Sequence, residues 1–472
     1  MKKPWSKFLS RRDSTRPVIN DNNNYIENGH ESECMVHNSL RKNEEKKSQE
    51  LFSPCSDDAS DDDDPSNRFE PMQSRKGSMS LTFPEIPADL EQHLHRHLEN
   101  VEEIVQNKRN SRSGDNSGCL EDHFLLQTSE HLNILLQNIS TSKNCLFLIN
   151  WAFERKQLFP NSESDLVEEW GPEAETKLLE RIKEEVRVSL DKILQEDRNQ
   201  TEHNEETYIQ LYVDIIQCIN AMPKLVQNVR PRLYPQVQEV CYQELCDFVK
   251  RYTSEQTKIL QQKAETWREH VENPEMIHFL KTLKTCKELG NHVSTNATFV
   301  RVPLVQEINK ILKEMEESTM QLLNKIVTEL AETSLEDYFK SRNTSCNCLL
   351  HSISGQRHCG LFDELRNHFP RLSNASDEQK IVMDEAYKIV VHSYLKHLIQ
   401  KSQWKLKRYW STDVGQAVDD FAKELHTTIS DLAPGVQQWN CILLKINDIL
   451  KSNIDGLRLD ILGICGDFKE KR

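Results

Sequence analysis

The sequence predicts an all-α protein of long helices, and three observations support this prediction. Glycine is scarce, with 13 residues among 472, which disfavours glycine-rich phosphate loops and tight hairpins. Apolar residues recur at spacings of three and four, which is the period of one helix face. Prolines fall between these apolar stripes and are expected in the loops that join helices: Pro160, Pro172, Pro223, Pro231, Pro235, Pro274, Pro303, Pro370 and Pro434.

Residues 1–80 differ from the rest of the chain and are expected to form a disordered tail. Stretches such as SPCSDDASDDDDPSN are polar and poor in aliphatic residues, so they cannot bury enough apolar surface to offset the entropy of ordering. Ser56 and Ser60 lie in this acidic run, and Ser78 follows two basic residues. These three serines match phosphorylation sites by short motifs, and a phosphate would add about two negative charges to the tail.

Residues 81–230 are predicted to form a first helical bundle. Pro87 precedes the start of its first helix. Three apolar stripes follow in this region: Leu90, Leu94, Leu98, Val101 and Val105; then Leu178, Ile182, Val186, Leu190 and Ile193; then Ile209, Tyr212, Ile216 and Ile219.

Residues 231–345 and 346–472 are predicted to form a middle and a C-terminal bundle. The middle stripes are Val237, Cys241, Leu245, Phe248 and Tyr252, and then Leu304, Ile308, Ile311, Met315, Leu322, Ile326 and Leu330. In the C-terminal region, Ser376 and Gln379 form a predicted capping box. The apolar stripes after it are Ile381, Ile389, Leu395 and Leu398; Val414, Val418, Phe421 and Leu425; and Leu443, Ile446, Ile449 and Leu450. Bundles of long amphipathic helices whose outer faces are polar stack best end to end, so we expect an elongated rod of stacked bundles.

Composition excludes several classes of function. The formal net charge of -15 argues against general nucleic-acid binding, because phosphate backbones attract basic surfaces. No apolar stretch approaches the roughly 20 residues that a membrane span needs. The 13 cysteines form no disulfide framework and no secretory signal is visible, so reduced thiols in the cytoplasm are expected.

Two groups of metal-binding residue types occur, and for both we favour an interpretation without metal. Cysteines and histidines cluster before the predicted C-terminal helices, but C-x-C is a poor zinc knuckle and an interhelical loop is the simpler interpretation. His93 and His97 lie one helical turn apart, where a polar or interfacial helix face explains them without a third ligand. The first group is Cys346, Cys348, His351, His358 and Cys359. We expect no metal and no cofactor.

Motifs for common catalytic sites are missing from the sequence. It contains no G-x-S-x-G, H-E-x-x-H, Walker A or kinase signature. The sequence therefore predicts a protein that is not an enzyme, although a site assembled from distant residues stays an alternative.

The first twelve residues, MKKPWSKFLSRR, are cationic although the whole chain is acidic. Basic residues mixed with aromatic ones suit an anionic bilayer surface, so we expect a membrane-binding foot; a frayed terminus with chance charges explains the pattern equally well. The residues of this predicted foot are Lys2, Lys3, Trp5, Lys7, Phe8, Arg11 and Arg12.

A second basic patch lies beside Trp404, Tyr409 and Trp410. It suits a membrane interface or an anionic partner, and the alternative is a solvated helix face whose aromatic residues point into the core. Its residues are Lys396, Lys401, Lys405, Lys407 and Arg408.

The order of features in the C-terminal half resembles a known family. LEDYFKS closes a long helix, a cysteine-bearing loop follows, and then come DEAYKIVVHSYLKHLIQK, VGQAVDDFAKELHTTI and WNCILLKINDILKSNIDGLRLDIL. This order resembles the exocyst complex component 3 family, which includes the exocyst component 3-like proteins and tumour necrosis factor alpha-induced protein 2, M-Sec. The matching positions are Val390, Val391, Tyr394, Leu395, Lys396 and Lys401 in one helix, and Asp420, Phe421 and Leu425 in the next.

This resemblance implies stacked helical bundles and a non-enzymatic tethering adaptor in exocytosis, vesicle docking or membrane protrusion. The implied partners are exocyst subunits, SNARE proteins, Ral-type small GTPases and membranes that contain acidic phosphoinositides. The implied location is cytoplasmic and peripheral, at the plasma membrane or on vesicles. A helical cytoskeletal scaffold without a vesicle role is the alternative, but spectrin-like bundles would recur at a period of about a hundred residues, and no such repeat is visible.

Overall fold

The computed structural model describes residues 82–110, 118–156, 166–199, 205–268, 276–340, 359–369, 371, 376–402 and 412–451. These residues belong to one compact unit, Gly77–Arg472. Most of them are helical and none lies in a β-strand, which confirms the prediction of an all-α fold. The predicted disordered tail lies outside the described residues.

The described residues form twelve α-helices and one short 3₁₀-helix. The first five are α1 (Leu90–Asn110), α2 (Gly118–Asn138), α3 (Ser142–Glu154), α4 (Leu166–Asn199) and α5 (Glu205–Val229), and the 3₁₀-helix is Pro231–Leu233. The next three are α6 (Tyr234–Thr266), α7 (Met276–Asn296) and α8 (Val302–Lys340). The last four are α9 (Gly360–His368), α10 (Ser376–Ser402), α11 (Thr412–Leu432) and α12 (Cys441–Lys451).

Neighbouring bundles share helices, so the helices stack in the order of the chain. Helix α4 packs on α3, α5 and α6, and α6 also packs on α8. Helix α8 contacts α7 and α10, and α11 contacts α9, α10 and α12. The buried apolar residues of all these helices form one continuous core. Helices on both sides of the predicted 230/231 boundary pack against each other directly, and the predicted bundle boundaries stay predictions.

Most predicted apolar stripes are buried, but the stripe in α5 was placed wrongly. Its core residues are Tyr208, Leu211, Ile215 and Ile219, whereas the predicted Ile209, Tyr212 and Ile216 are only partly buried. The physical reason is that α5 has a wide apolar face, and spacing alone does not show which residues lie at its centre. The same error affects Ile193, Ile311 and Leu322, which lie next to the buried Leu194, Leu312 and Leu323. The predicted stripe of α10 was also placed wrongly, because Ile381 is exposed and Ile389 and Leu395 are only partly buried, as is Ile446 of α12.

Two prolines lie inside helices, contrary to the prediction that prolines separate them. Pro172 lies within α4 and Pro223 within α5. An internal proline costs a helix about 3 kcal/mol, and the packed residues on both sides of it offset that cost. Pro235 and Pro303 are the second residues of α6 and α8, where the absent N–H has no intrahelical partner in any case. Pro160, Pro274 and Pro370 lie outside the described residues.

Candidate functional site

Most of the predicted site residues lie outside the described part of the chain. This holds for the cationic foot of residues 1–12, the three serines of the tail, and Lys405, Lys407 and Arg408 of the second basic patch. Lys401 belongs to α10, but its side chain is not described. The membrane foot, the phosphorylation sites and most of the second basic patch therefore stay predictions. The structure does describe the surface of α10, from which the chain continues into the second basic patch.

Lys396 lies on the surface of α10 and pairs with helix α8. Its Nζ is 2.6 Å from Oε1 of Glu332, and both side chains are a little over 40% exposed, at 43% and 44%. An exposed pair of this kind contributes about 0–1 kcal/mol, so an anionic ligand could replace the carboxylate at little cost. His392 and Ile399 are also exposed, the latter by 57%, and their spacing from Lys396 places all three on one side of the helix. This side of α10 is therefore both cationic and apolar.

The opposite side of α10 is fixed by an aromatic cluster. The ring of Tyr394 stacks on that of Phe421 with a centroid distance of 4.1 Å, and Phe339 lies 5.4 Å from Tyr394. Phe362 of α9 and Tyr338 of α8 also contact Phe421, at 5.3 and 6.1 Å. The cluster joins α8, α9, α10 and α11, so it holds the exposed face of α10 in a defined orientation.

The residues that carry the family resemblance divide between core and surface. Val390, Val391, Tyr394, Phe421 and Leu425 are buried, so their pattern reports helix packing. On the surface, Asp420 is exposed and accepts a hydrogen bond of 2.8 Å from Nε2 of Gln416. Lys396 and Asp420 are thus the described members of this set that are able to meet a partner through charge.

The histidines predicted to share a helix face have different partners. Nδ1 of His93 lies 3.0 Å from Oδ2 of Asp89 at the surface, whereas His97 is buried and its Nε2 is 3.2 Å from Nε2 of His131. Burial, followed by the charge of His97, lowers the pKa of His131 to about 4, so both rings are neutral at pH 7 and one donates to the other. Sequence analysis missed His131, although it lies beside Leu132 on the buried side of α2.

Cys359 is the one described member of the predicted cysteine and histidine cluster. It is 2% exposed and immediately precedes α9. Burial raises the pKa of its thiol to about 11, and burial likewise raises the pKa of Cys145 and Cys218 to about 11 and of Cys241 to about 12. These thiols are protonated at pH 7 and behave as small apolar groups. Within the described ranges, no group of three or more histidine, cysteine or acidic residues is placed to hold a metal ion.

An open cleft of about 450 Å³ lies where α7, α10 and the loop after α11 meet. Two of its lining residues are engaged by neighbours: Nζ of Lys287 is 2.7 Å from Oε1 of Glu378, and Asp384 accepts from Nε1 of Trp439 at 2.8 Å. Gly435, with φ +85°, forms part of the wall and packs against Lys380. Charges of both signs line this cleft, so it has no clear preference for an anionic or a cationic ligand.

Comparison with known proteins shows a similarity of fold. No protein-family model matches the chain, and no curated protein matches it in sequence. The fold is similar to that in the crystal structure of M-Sec, with a TM-score of 0.51, 12% identity, and coverage of 83% of this chain and 70% of that one.

The fold resembles M-Sec. At this identity the similarity shows a shared fold alone. It does not extend to exocyst complex component 3 specifically. None of the described helices is long and apolar enough to cross a membrane.

Proposed function

We propose that this chain is a non-enzymatic tethering adaptor that acts at membranes, in exocytosis, vesicle docking or membrane protrusion. The observation that carries the proposal is the similarity of its fold to that of M-Sec over 83% of the chain. Stacked bundles with a continuous core suit a protein that holds partners at fixed positions. Exocyst subunits, SNARE proteins and a Ral-type small GTPase are the proposed protein partners.

The surface of α10 supports the membrane part of this proposal. Lys396 and Ile399 are exposed on the side of α10 away from the aromatic cluster, and the chain continues from there into the predicted patch of Lys401, Lys405, Lys407 and Arg408. Cationic and apolar groups on one face attract an anionic leaflet and pack into its interface. The cationic foot of residues 1–12 would add a second contact. The location proposed with this function is cytoplasmic and peripheral, at the plasma membrane or on vesicles.

The chemistry of the described thiols disfavours these groups as nucleophiles. Burial raises the pKa of Cys145, Cys286 and Cys359 above the ordinary value for a thiol, and a protonated, buried thiol is a poor nucleophile.

Capture of partners from cells tests the proposal. The full chain, tagged and expressed near its natural level, should enrich exocyst or SNARE subunits when the captured proteins are identified by mass spectrometry. A matched chain carrying Phe421→Ala, which is expected to loosen the aromatic cluster, should lose this enrichment. Enrichment of cytoskeletal proteins in place of tethering subunits would support the scaffold alternative and contradict the proposal.

Liposome flotation tests the membrane contact separately. Wild type should float with vesicles that contain phosphatidylserine and phosphatidylinositol bisphosphate, and should be released as salt rises. A chain with Lys2, Lys3, Lys7, Arg11 and Arg12 changed to alanine should float much less. If it floats like wild type, the foot is not the contact, and the basic patch that begins at Lys396 becomes the surface to change next.

A further inference from the structure

The turn between α7 and α8 presents two large apolar side chains to solvent. Phe299 is 58% exposed and Val302 is 65% exposed, while Val300 between them is buried. The turn therefore forms an apolar tip on the surface.

Buried and paired side chains of α6 hold this tip in place. Oε1 of Gln238, a residue that is 3% exposed, accepts from the backbone N–H of Phe299 at 2.9 Å, and its Nε2 donates to the carbonyl of Asn296 at 2.9 Å. The N–H of Arg301 donates to Oε2 of Glu239 at 2.9 Å. The exposure of Phe299 is thus built into the fold, because three hydrogen bonds fix the backbone on both sides of it.

The tip also carries an aromatic neighbour and exposed guanidinium groups. The ring of Tyr234 meets that of Phe299 edge on, with a centroid distance of 5.5 Å. Arg301 is 73% exposed, and Arg232, in the 3₁₀-helix just before Tyr234, is 59% exposed. Glu239 pairs with the guanidinium group of Arg301, and Glu175 pairs with both Arg232 and the buried Arg230. Three guanidinium groups therefore face two carboxylates, which leaves one positive charge at the tip.

We propose that this tip enters the headgroup region of an anionic bilayer, with Phe299 and Val302 in the interface and Arg232 and Arg301 on lipid phosphates. A bilayer is soft and locally flat, so it accepts projecting side chains, whereas a folded protein would have to supply a pocket for each of them. Tyrosine and arginine suit such interfaces because each combines an apolar body with a polar end, and Phe299 adds an apolar ring that can be buried there. The proposal rests on the proposed function in that both place the chain at a membrane, and it names a contact surface separate from the cationic foot.

Vesicle binding by full-length chains tests this contact. The background variant has Lys2, Lys3, Lys7, Arg11 and Arg12 changed to alanine, so that binding by the foot does not mask the tip. On it, Phe299→Ser with Val302→Ser should reduce the partition coefficient on phosphatidylserine-containing vesicles by about tenfold or more. Arg232→Gln with Arg301→Gln should weaken binding to these vesicles and reduce its salt dependence.

A matched control separates the tip from general surface hydrophobicity. Val188→Ser with Ile381→Ser removes two side chains of similar exposure, 52% each, from α4 and α10, and should leave partitioning unchanged. All four side chains of these two variants are exposed, so thermal melting should be the same for both variants as for wild type.

Each remaining outcome overturns the proposal in a different way. If the foot-substituted chain binds vesicles and the Phe299 and Val302 variant binds equally, the tip is not the contact, although the proposed function stands. If wild type binds no anionic vesicles, both the tip and the membrane part of the proposed function fail. If the variant keeps vesicle binding but loses a protein captured by wild type, the tip is a protein-docking site.

Discussion

Glu91→Gln should destabilise the chain, because the Glu91 carboxylate caps a helix that begins about fifty residues later. Glu91 lies on α1 and accepts from the backbone N–H and hydroxyl groups of Ser140 and Thr141, just before α3. The N–H of Thr141 is 2.9 Å from Oε1, and the Thr141 hydroxyl is 2.8 Å from Oε2. Asn144 donates to the same carboxylate and to the backbone carbonyl of Glu91.

The size of the effect follows from the pKa of Glu91. Burial raises this pKa, but the hydrogen bonds from Ser140 and Thr141 outweigh burial and lower it from 4.5 to about 2. At 1.36 kcal/mol per pKa unit, a shift of this size corresponds to about 3 kcal/mol. Solvent reaches part of the carboxylate and screens it, so we expect Glu91→Gln to lower the free energy of unfolding by about 2 kcal/mol.

Denaturation at several pH values measures this contribution. A carboxylate whose pKa is lowered by folding stabilises the protein fully above its unfolded pKa, and loses that effect as pH falls. The difference between wild type and Glu91→Gln should therefore be constant near pH 7 and shrink from about pH 4.5 towards pH 2. Amide hydrogen exchange should show faster opening at the start of α3 in the variant.

The control is Glu103→Gln, which removes the same charge from an exposed position of α1. It should change the stability at pH 7 by less than about 0.5 kcal/mol. Equal stability of the Glu91 and Glu103 variants at pH 7 would show that the tertiary cap contributes nothing. A gap that stays constant down to pH 2 would show that the carboxylate is not held in its charged form.

Three further predictions concern other parts of the core. Replacing both His97 and His131 by leucine should flatten the fall in the free energy of unfolding from pH 6.5 to 4, because folding lowers both histidine pKa values and acid therefore protonates the unfolded chain first. Urea titration at several pH values measures this slope, and a slope equal to that of wild type would contradict the prediction. Gly171→Ala should lower the free energy of unfolding by about 1–3 kcal/mol, since the added Cβ would lie 2.6 Å from Cζ of Phe153 and the guanidinium of Arg230 covers that ring. A melting temperature equal to that of wild type would show that the ring moves freely. Phe421→Ala should cost about 3–5 kcal/mol in chemical denaturation, and a loss below about 1 kcal/mol would mean that the aromatic cluster does not hold α10.

The sequence was sufficient for most of the helices and insufficient for the contacts between them. Spacing located α1 and α6 correctly, and every predicted stripe residue of those two helices is buried. Spacing failed in α5, because its apolar face is wide and the spacing does not show which residues lie at the centre of that face. The rule that proline ends a helix failed at Pro172 and Pro223, where tertiary packing outweighs it.

The contacts that fix the candidate site, the apolar tip and the cap of α3 were harder to predict, because they join residues far apart in the chain. Glu91 meets Thr141, and Gln238 meets Phe299 across 61 residues. Neither pair leaves a local pattern in the sequence, since a glutamate or glutamine in a helix is usually predicted to be exposed to solvent. The basic residue types around Lys396 could be seen in the sequence, but the pairing of Lys396 with Glu332 could not.

The helices shared between bundles have a mechanical consequence. Helix α8, with 39 residues, is about 58 Å long and packs along α6, α7 and α10. A pulling force on α10 is therefore transferred to α8 by lateral shear of packed side chains, many of which must slip together before the two helices separate. Such a joint resists load better than a peptide linker that is extended end to end, because the load is divided among parallel contacts. The tethering role that we propose would make use of this property.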